Sequence, residues 1–219
     1  MVSDGVLAIR IDGRQPLSAA SVAAIAALCD SAEDGDDPRT VVVHVSGAPD
    51  GSWTRNLSVA LVSRWERGLR RLERLPAATI GVASGDCGGP ALDALLATDY
   101  RIADTSLRLV VPVTAGATWP GMALYRMSRQ AGGAAIRRSL LLGVPVEAAE
   151  ALALHLVDEL TDDAESALAA AAGLAGAFAG AEVAIRRQLM LEALSASFED
   201  ALGAHLAACD RVLRQASAR

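Results

Sequence analysis

A chain of 219 residues, 52 % of them hydrophobic, suits one domain with a sizeable core and room for a helical appendage. Its net charge of −6 argues against a general nucleic-acid-binding surface, and its 20 basic residues are all arginine, which excludes lysine Schiff bases and the lysine of the usual phosphate-binding loop. Cys29, Cys87 and Cys209 are odd in number and far apart, with neither a disulfide framework nor a metal spacing, so a cytoplasmic protein without a bound metal is expected.

In chain order, Val6 to Ile11 alternates as a strand does, and Asp12-Gly13 turns it. Ser18 is placed to cap a helix whose Val22, Ile25, Ala26 and Cys29 share one face. An acidic loop from Glu33 to Pro38 follows, then the β-branched run Thr40 to Val45, a buried strand. Ser46 to Asn56 reads as a loop. Leu57 to Leu75 reads as a helix with Leu61, Val62, Trp65, Leu69 and Leu72 on one face and arginines opposite.

Pro76 to Ala103 is the stretch on which the rest depends. Ala77 to Ser84 has the pattern of a buried strand, and Gly85-Asp86-Cys87-Gly88-Gly89 that of a turn. Pro90 opens a helix that is apolar nearly all round, with Asp93 the one charge in its first two turns. A strand, a glycine turn and a buried helix aim backbone N–H groups at one point, which suits a developing negative charge. Strand–helix–strand order here and at the N-terminus predicts an α/β fold with helical crossovers.

After Ala103 a short strand is expected at Leu107 to Val111, then an irregular stretch from Pro112 to Gly121. Helices are expected at Met122 to Gln130, Ala134 to Leu142 and Glu147 to Leu154. Ala164 to Gly180 is rich in alanine and glycine. Asp162, Asp163 and Glu165 at its start make it a tightly packed helix rather than a membrane span. Ala181 to Ser195 and Phe198 to Ala216 complete a helical C-terminal region. No signal peptide and no membrane association are expected.

Several of these segments resemble the crotonase (enoyl-CoA hydratase/isomerase) superfamily. Ser84-Gly85, Gly88-Gly89-Pro90, Asp93 and Thr98-Asp99-Tyr100-Arg101-Ile102-Ala103 fall into its central register without a gap. The turn Leu142-Gly143, the helix Ala148-Ala149-Glu150-Ala151 and His155-Leu156-Val157 extend the likeness. It implies a crotonase-like spiral of ββα units over residues 1–160. It also implies a helical oligomerisation region over 161–219, a homotrimer or hexamer, and coenzyme A as part of the substrate rather than a separate cofactor.

The resemblance also assigns candidate residues. Two backbone N–H groups polarise a thioester carbonyl in the family. The position of one is Pro90 here, which has no N–H, so Gly88, Gly89 and Ala91 are the local candidates and Leu57 the positional candidate for the second. The first catalytic glutamate aligns with Asp93, which can move a proton through a positioned water or merely complement the helix N-terminus. Where the second glutamate follows a proline, this chain has Pro112-Val113, and valine cannot transfer a proton. Val113, Trp119 and Tyr125, with Thr118, fall where the family places its acyl pocket, and the arginines of the Arg64–Arg74 helix face either coenzyme A phosphates or solvent.

His44 reads as a core histidine, Cys87 as a space-filler or a reactive thiol, and Asp99 as an anchor for the turn after the helix.

Within the superfamily, the short chain, the Asp-Cys-Gly-Gly-Pro turn, LDALLATDYRIA and AGATWPGMALYR resemble the small crotonase-like proteins of dihydroxyphenylglycine biosynthesis. That likeness implies an accessory dehydratase working with a type III polyketide synthase and other crotonase-like proteins to form 3,5-dihydroxyphenylacetyl-CoA. A non-catalytic partner of the synthase and an ordinary short-chain enoyl-CoA hydratase are the alternatives.

Overall fold

The computed structural model describes residues 6–34, 40–178 and 180–217. Most of the acidic loop expected at Glu33 to Pro38 lies outside these residues.

Four parallel strands make the first layer: β1 (Val6–Asp12), β2 (Thr40–Gly47), β3 (Thr79–Gly88) and β4 (Tyr100–Ala103), with β9 (Glu159–Leu160) parallel to β4. Two helices connect the first three strands. Ser18 caps α1 (Ala19–Glu33) by accepting the Ser21 N–H at 3.2 Å, and Ser58 caps α2 (Val59–Leu72) by accepting the Leu61 N–H at the same distance. Both bury a stripe of the expected kind: Ile25, Leu28, Cys29 and Ala32 on α1, and Leu61, Trp65, Leu69 and Leu72 on α2.

The structure corrects the expected turn at Gly85 to Gly89. β3 does not end at Ser84; it bulges opposite Ser46 and Gly47 and resumes, so that Asp86, Cys87 and Gly88 pair with Arg108, Leu109 and Val110 of β5 (Arg108–Val110). Its first half pairs with β4 and its second half with β5, so one strand carries the chain from one layer to the next. This is the α/β architecture that the resemblance implies. Only Gly89 forms the actual turn into α3 (Pro90–Leu95).

Pro112 to Gly121 is also more regular than expected. β6 (Val113–Thr114) and β7 (Ala117–Thr118) form a small hairpin whose two turn residues, Ala115 and Gly116, both have positive φ. Then come α4 (Met122–Met127), a π-helical turn at Ser128–Gly132 and α5 (Arg137–Leu142). β8 (Val146–Glu147) runs antiparallel to β5, and α6 (Ala148–Ala153) leads back to β9.

Three helices close the chain: α7 (Ala164–Gly176), α8 (Gly180–Ala193) and α9 (Phe198–Ser217). α7 lies on the sheet, where Ala167 and Ala171 pack with Ile80 and Ile102. α8 is pinned through Arg187, and α9 rests on α8 with none of its residues buried. Among the described residues no single helix is long and apolar enough to cross a membrane.

Candidate active site

The Asp-x-Arg-Ile-Ala signature builds the platform under α3. Arg101 is buried and donates to the carbonyls of Leu95, Leu96, Thr98 and Leu156 and to Gln130 Oε1. Three of those carbonyls belong to the C-terminal end of α3 and the turn after it, where the helix itself offers no partner. Burial lowers the Arg101 pKa to about 10, so it keeps its charge at neutral pH. Asp99 accepts from the Thr79 N–H and hydroxyl, both at 2.9 Å, and takes the Arg187 guanidinium through both oxygens at 2.5 and 2.6 Å. Arg187 also donates to the carbonyls of Glu73, Leu75 and Ala77. These bonds fix the exit of α3 against β3, β4 and α8.

The entrance is fixed by close packing. A Cβ on Gly88 would lie 2.8 Å from the Val110 carbonyl oxygen and 2.9 Å from Ala48 Cβ, so only glycine fits between the two walls. Gly89 has φ 54° and ψ −128°, a backbone region that side chains disfavour, and a Cβ there would meet Pro49 Cγ at 2.9 Å. Pro90 follows at the first helical position. The first N–H of α3 therefore belongs to Ala91, while the Asp93 N–H is engaged by the Gly89 carbonyl at 2.9 Å. Leu57 differs from these candidates: its N–H donates to the Thr54 carbonyl at 3.0 Å within a turn.

Asp93 projects from the first turn of α3 into a chamber walled by α2 and α4. It lies deep among protein atoms yet retains a partly accessible surface. Burial, and next the carboxylate of Glu66, push its pKa up to about 7; Arg126, the Trp65 indole and the Ala123 N–H offset part of the rise. Trp65 Nε1 completes no hydrogen bond, so its influence on Asp93 is that of an oriented dipole. Arg126, itself buried, is held elsewhere: Nη1 meets Glu66 at 2.9 Å and Nε meets Glu73 at 2.7 Å. Asp93 thus sits beside a cation that is already engaged. It is poised to exchange a proton near neutral pH.

Glu66, Glu73 and Arg126 went unnoticed in the sequence. Each reads as a polar residue on an amphipathic helix. The one available signal is spacing, since Glu66 and Glu73 are two helical turns apart and share a face.

The remaining candidates fall around this chamber or away from it. Trp119 meets Trp53 edge to face, with ring centroids 5.0 Å apart and planes at 74°, and the Trp119 backbone N–H donates to the Pro112 carbonyl at 2.7 Å. Val113 and Tyr125 are both about half exposed; the Arg129 guanidinium lies 5.5 Å from the Tyr125 ring centre. Cys87 is fully buried, and burial together with Asp93 raises its pKa, which keeps it a thiol. His44 lies beside Arg10 on the neighbouring strand; burial lowers its pKa. Three of the α2 arginines have side-chain partners: Arg71 with Asp30 and Glu33, Arg70 with Glu73, Arg67 with Ser63. Among the described residues no cluster of three or more histidine, cysteine and acidic side chains could hold a metal.

No family model matches the chain. A protein of Amycolatopsis orientalis described as "Enoyl-CoA-hydratase" is 56 % identical over 212 residues, which is 97 % of this chain and 98 % of that protein. Among solved structures, a putative enoyl-CoA hydratase from Streptomyces coelicolor A3(2) superposes with a TM-score of 0.82 at 21 % identity, covering 98 % of this chain and 85 % of that one. An enoyl-CoA hydratase/isomerase family protein from Silicibacter pomeroyi gives 0.81 at 20 % identity, covering 98 % and 97 %. These structural likenesses concern the fold.

Proposed function

The chain belongs to the crotonase (enoyl-CoA hydratase/isomerase) superfamily, and we propose that it is a hydro-lyase acting on a coenzyme A thioester with Asp93 as its acid/base. The observation that carries this reading is a carboxyl group with a pKa near 7, partly accessible, one helical turn from the Gly88-Gly89-Pro90 bend. N–H groups of Gly89 and Ala91 are suited to hold the thioester oxygen. The Asp93 carboxylate takes the proton from Cα, and the electron pair moves onto the thioester oxygen as an enolate. The pair then returns to form the Cα–Cβ double bond as the Cβ–O bond breaks, and Asp93 passes its proton to the departing hydroxide. One group serves both transfers, so Val113 need not supply a second acid. Val113, Trp119 and Tyr125 would border the acyl group.

The plain hydratase description of the relative with 56 % identity favours an ordinary enoyl-CoA hydratase. A narrower reading is a DpgB-type dehydratase that works with a type III polyketide synthase towards 3,5-dihydroxyphenylacetyl-CoA. It is supported by the Asp-Cys-Gly-Gly-Pro and AGATWPGMALYR segments and by Val113, because a dehydration that ends in an aromatic ring has its own driving force and needs less acid catalysis. Hydration of crotonyl-CoA and aromatic product formation with the synthase are to be measured side by side, with wild type and Asp93→Asn. The hydro-lyase reading expects Asp93→Asn to lose about 10²–10⁴ in rate in whichever assay is active. A folded Asp93→Asn protein that stimulates the synthase fully would replace it with a non-catalytic partner role.

Assembly belongs to the same reading. Phe198, Leu206 and Leu213 on α9 are 75, 58 and 66 % exposed, and Leu174, Phe178, Met190 and Leu194 add to the apolar surface. A homotrimer or a hexamer would cover these side chains. Analytical ultracentrifugation should show self-association at micromolar concentration; a stable monomer would count against it.

A further inference from the structure

We infer that Glu66 is a positioning residue for the proton on Asp93: its carboxylate, fixed by Arg126 at 2.9 Å, adds to burial in keeping that group from being a permanent anion. The cluster holds three carboxyl groups, Asp93, Glu66 and Glu73, around the buried guanidinium of Arg126, with Arg70 meeting Glu73 from the outer side at 2.9 Å. Arg126 donates directly to Glu66 and Glu73, and among the described residues Asp93 has no ion pair of its own. Glu66 and Glu73 lie on one face of α2, two turns apart, so a single arginine from α4 spans both.

The other groups facing Asp93 are the Trp65 indole on α2, the Ala123 N–H on α4 and the Cys87 thiol on β3. None of these carries a charge at neutral pH. The charge balance therefore rests on Glu66 and Glu73 against Arg126 and Arg70. A third carboxylate beside these two pairs leaves one uncompensated negative charge, so one proton is retained, and it goes to the unpaired group. Glu66 itself is drawn both ways: burial raises its pKa, while Arg126 opposes the rise.

The bearing of this arrangement on turnover rests on the catalytic reading of Asp93 above, but its test does not. The Asp93 carboxyl carbon is followed by ¹³C NMR against pH in the full-length protein, with Asp93→Asn to assign the signal. Wild type should titrate near 7. Glu66→Gln keeps shape and a hydrogen-bond acceptor for Arg126 but removes the charge, and should lower the midpoint by about one pH unit. Glu66→Asp, which restores the charge, should return most of that shift. Should Glu66→Gln fold poorly, Glu66→Met retains the apolar stem without the charge and should show the same fall. In an active assay, the pH–rate inflection assigned to Asp93 should move down by the same amount, whereas a merely structural loss would scale the whole profile. An unchanged Asp93 midpoint in a folded charge-free variant overturns the inference. A lowered midpoint together with a fully active Asp93→Asn protein supports it and sinks only the catalytic reading.

Discussion

Asp93 and Asp99 stand at the two ends of one short helix and have opposite environments. Asp99 collects a backbone N–H, a hydroxyl and a buried guanidinium, so both of its oxygens have donors. Asp93 faces a guanidinium that two glutamates already occupy, in a chamber that strips it of most of its water. The same side chain is a rivet in one place and, with its pKa raised by burial, a titratable group near neutral pH in the other. What separates them is whether the neighbouring arginine is free to pair.

The sharpest way to break this contrast is to remove the rivet. Arg187→Ala removes the cation paired with Asp99 and the side-chain donor to three carbonyls inside the protein, and should cost about 3–5 kcal/mol, read as a lower urea midpoint. At the other end of the helix Asp93→Asn should do the reverse. The folded pKa of Asp93 lies near 7, above the ordinary 3.8. Between about pH 4 and pH 7 the folded chain therefore holds a proton that the unfolded chain has lost, and stability falls as pH rises through that window. Asp93→Asn should flatten much of the fall and be the more stable protein at pH 8, by on the order of a few kcal/mol, with little difference at pH 4. Glu66, also raised, should leave a smaller slope of the same sign. A wild-type protein as stable at pH 8 as at pH 5 would contradict the uncompensated chamber. The smallest effect belongs to an exposed pair of good geometry. Arg186 meets Glu182 at 2.6 Å with its side chain 61 % exposed, and Arg186→Ala should change stability by less than about 0.5 kcal/mol. Distance alone does not make a rivet; burial does.

Local chemistry was legible in the sequence wherever a residue's role is local. Ser18 caps its helix, Pro90 opens α3, and the apolar stripe of α2 faces the core as its spacing requires. The α/β order and the placement of Asp93 in the first turn of a buried helix followed from the same logic. The continuation of β3 through Gly85 did not, because its partner strand comes from residues about twenty positions downstream, and glycine there reads as a turn until that strand is placed beside it. Glu66 and Arg126 were invisible for a related reason. On a single helix a charged residue belongs to the solvated face, and only the packing of α4 against α2 turns the pair inward. The engaged Leu57 N–H also depends on the fold of its loop, which no residue pattern specifies.

Of the chain's three tryptophans, Trp65 faces Asp93, while Trp53 and Trp119 meet edge to face and the Trp119 backbone is tied to Pro112 beside Gly89. The Trp65 share of the intrinsic fluorescence is therefore a signal local to that carboxyl group. That share of the ultraviolet emission should titrate with the Asp93 proton. The unaltered protein thus carries its own optical probe of that proton.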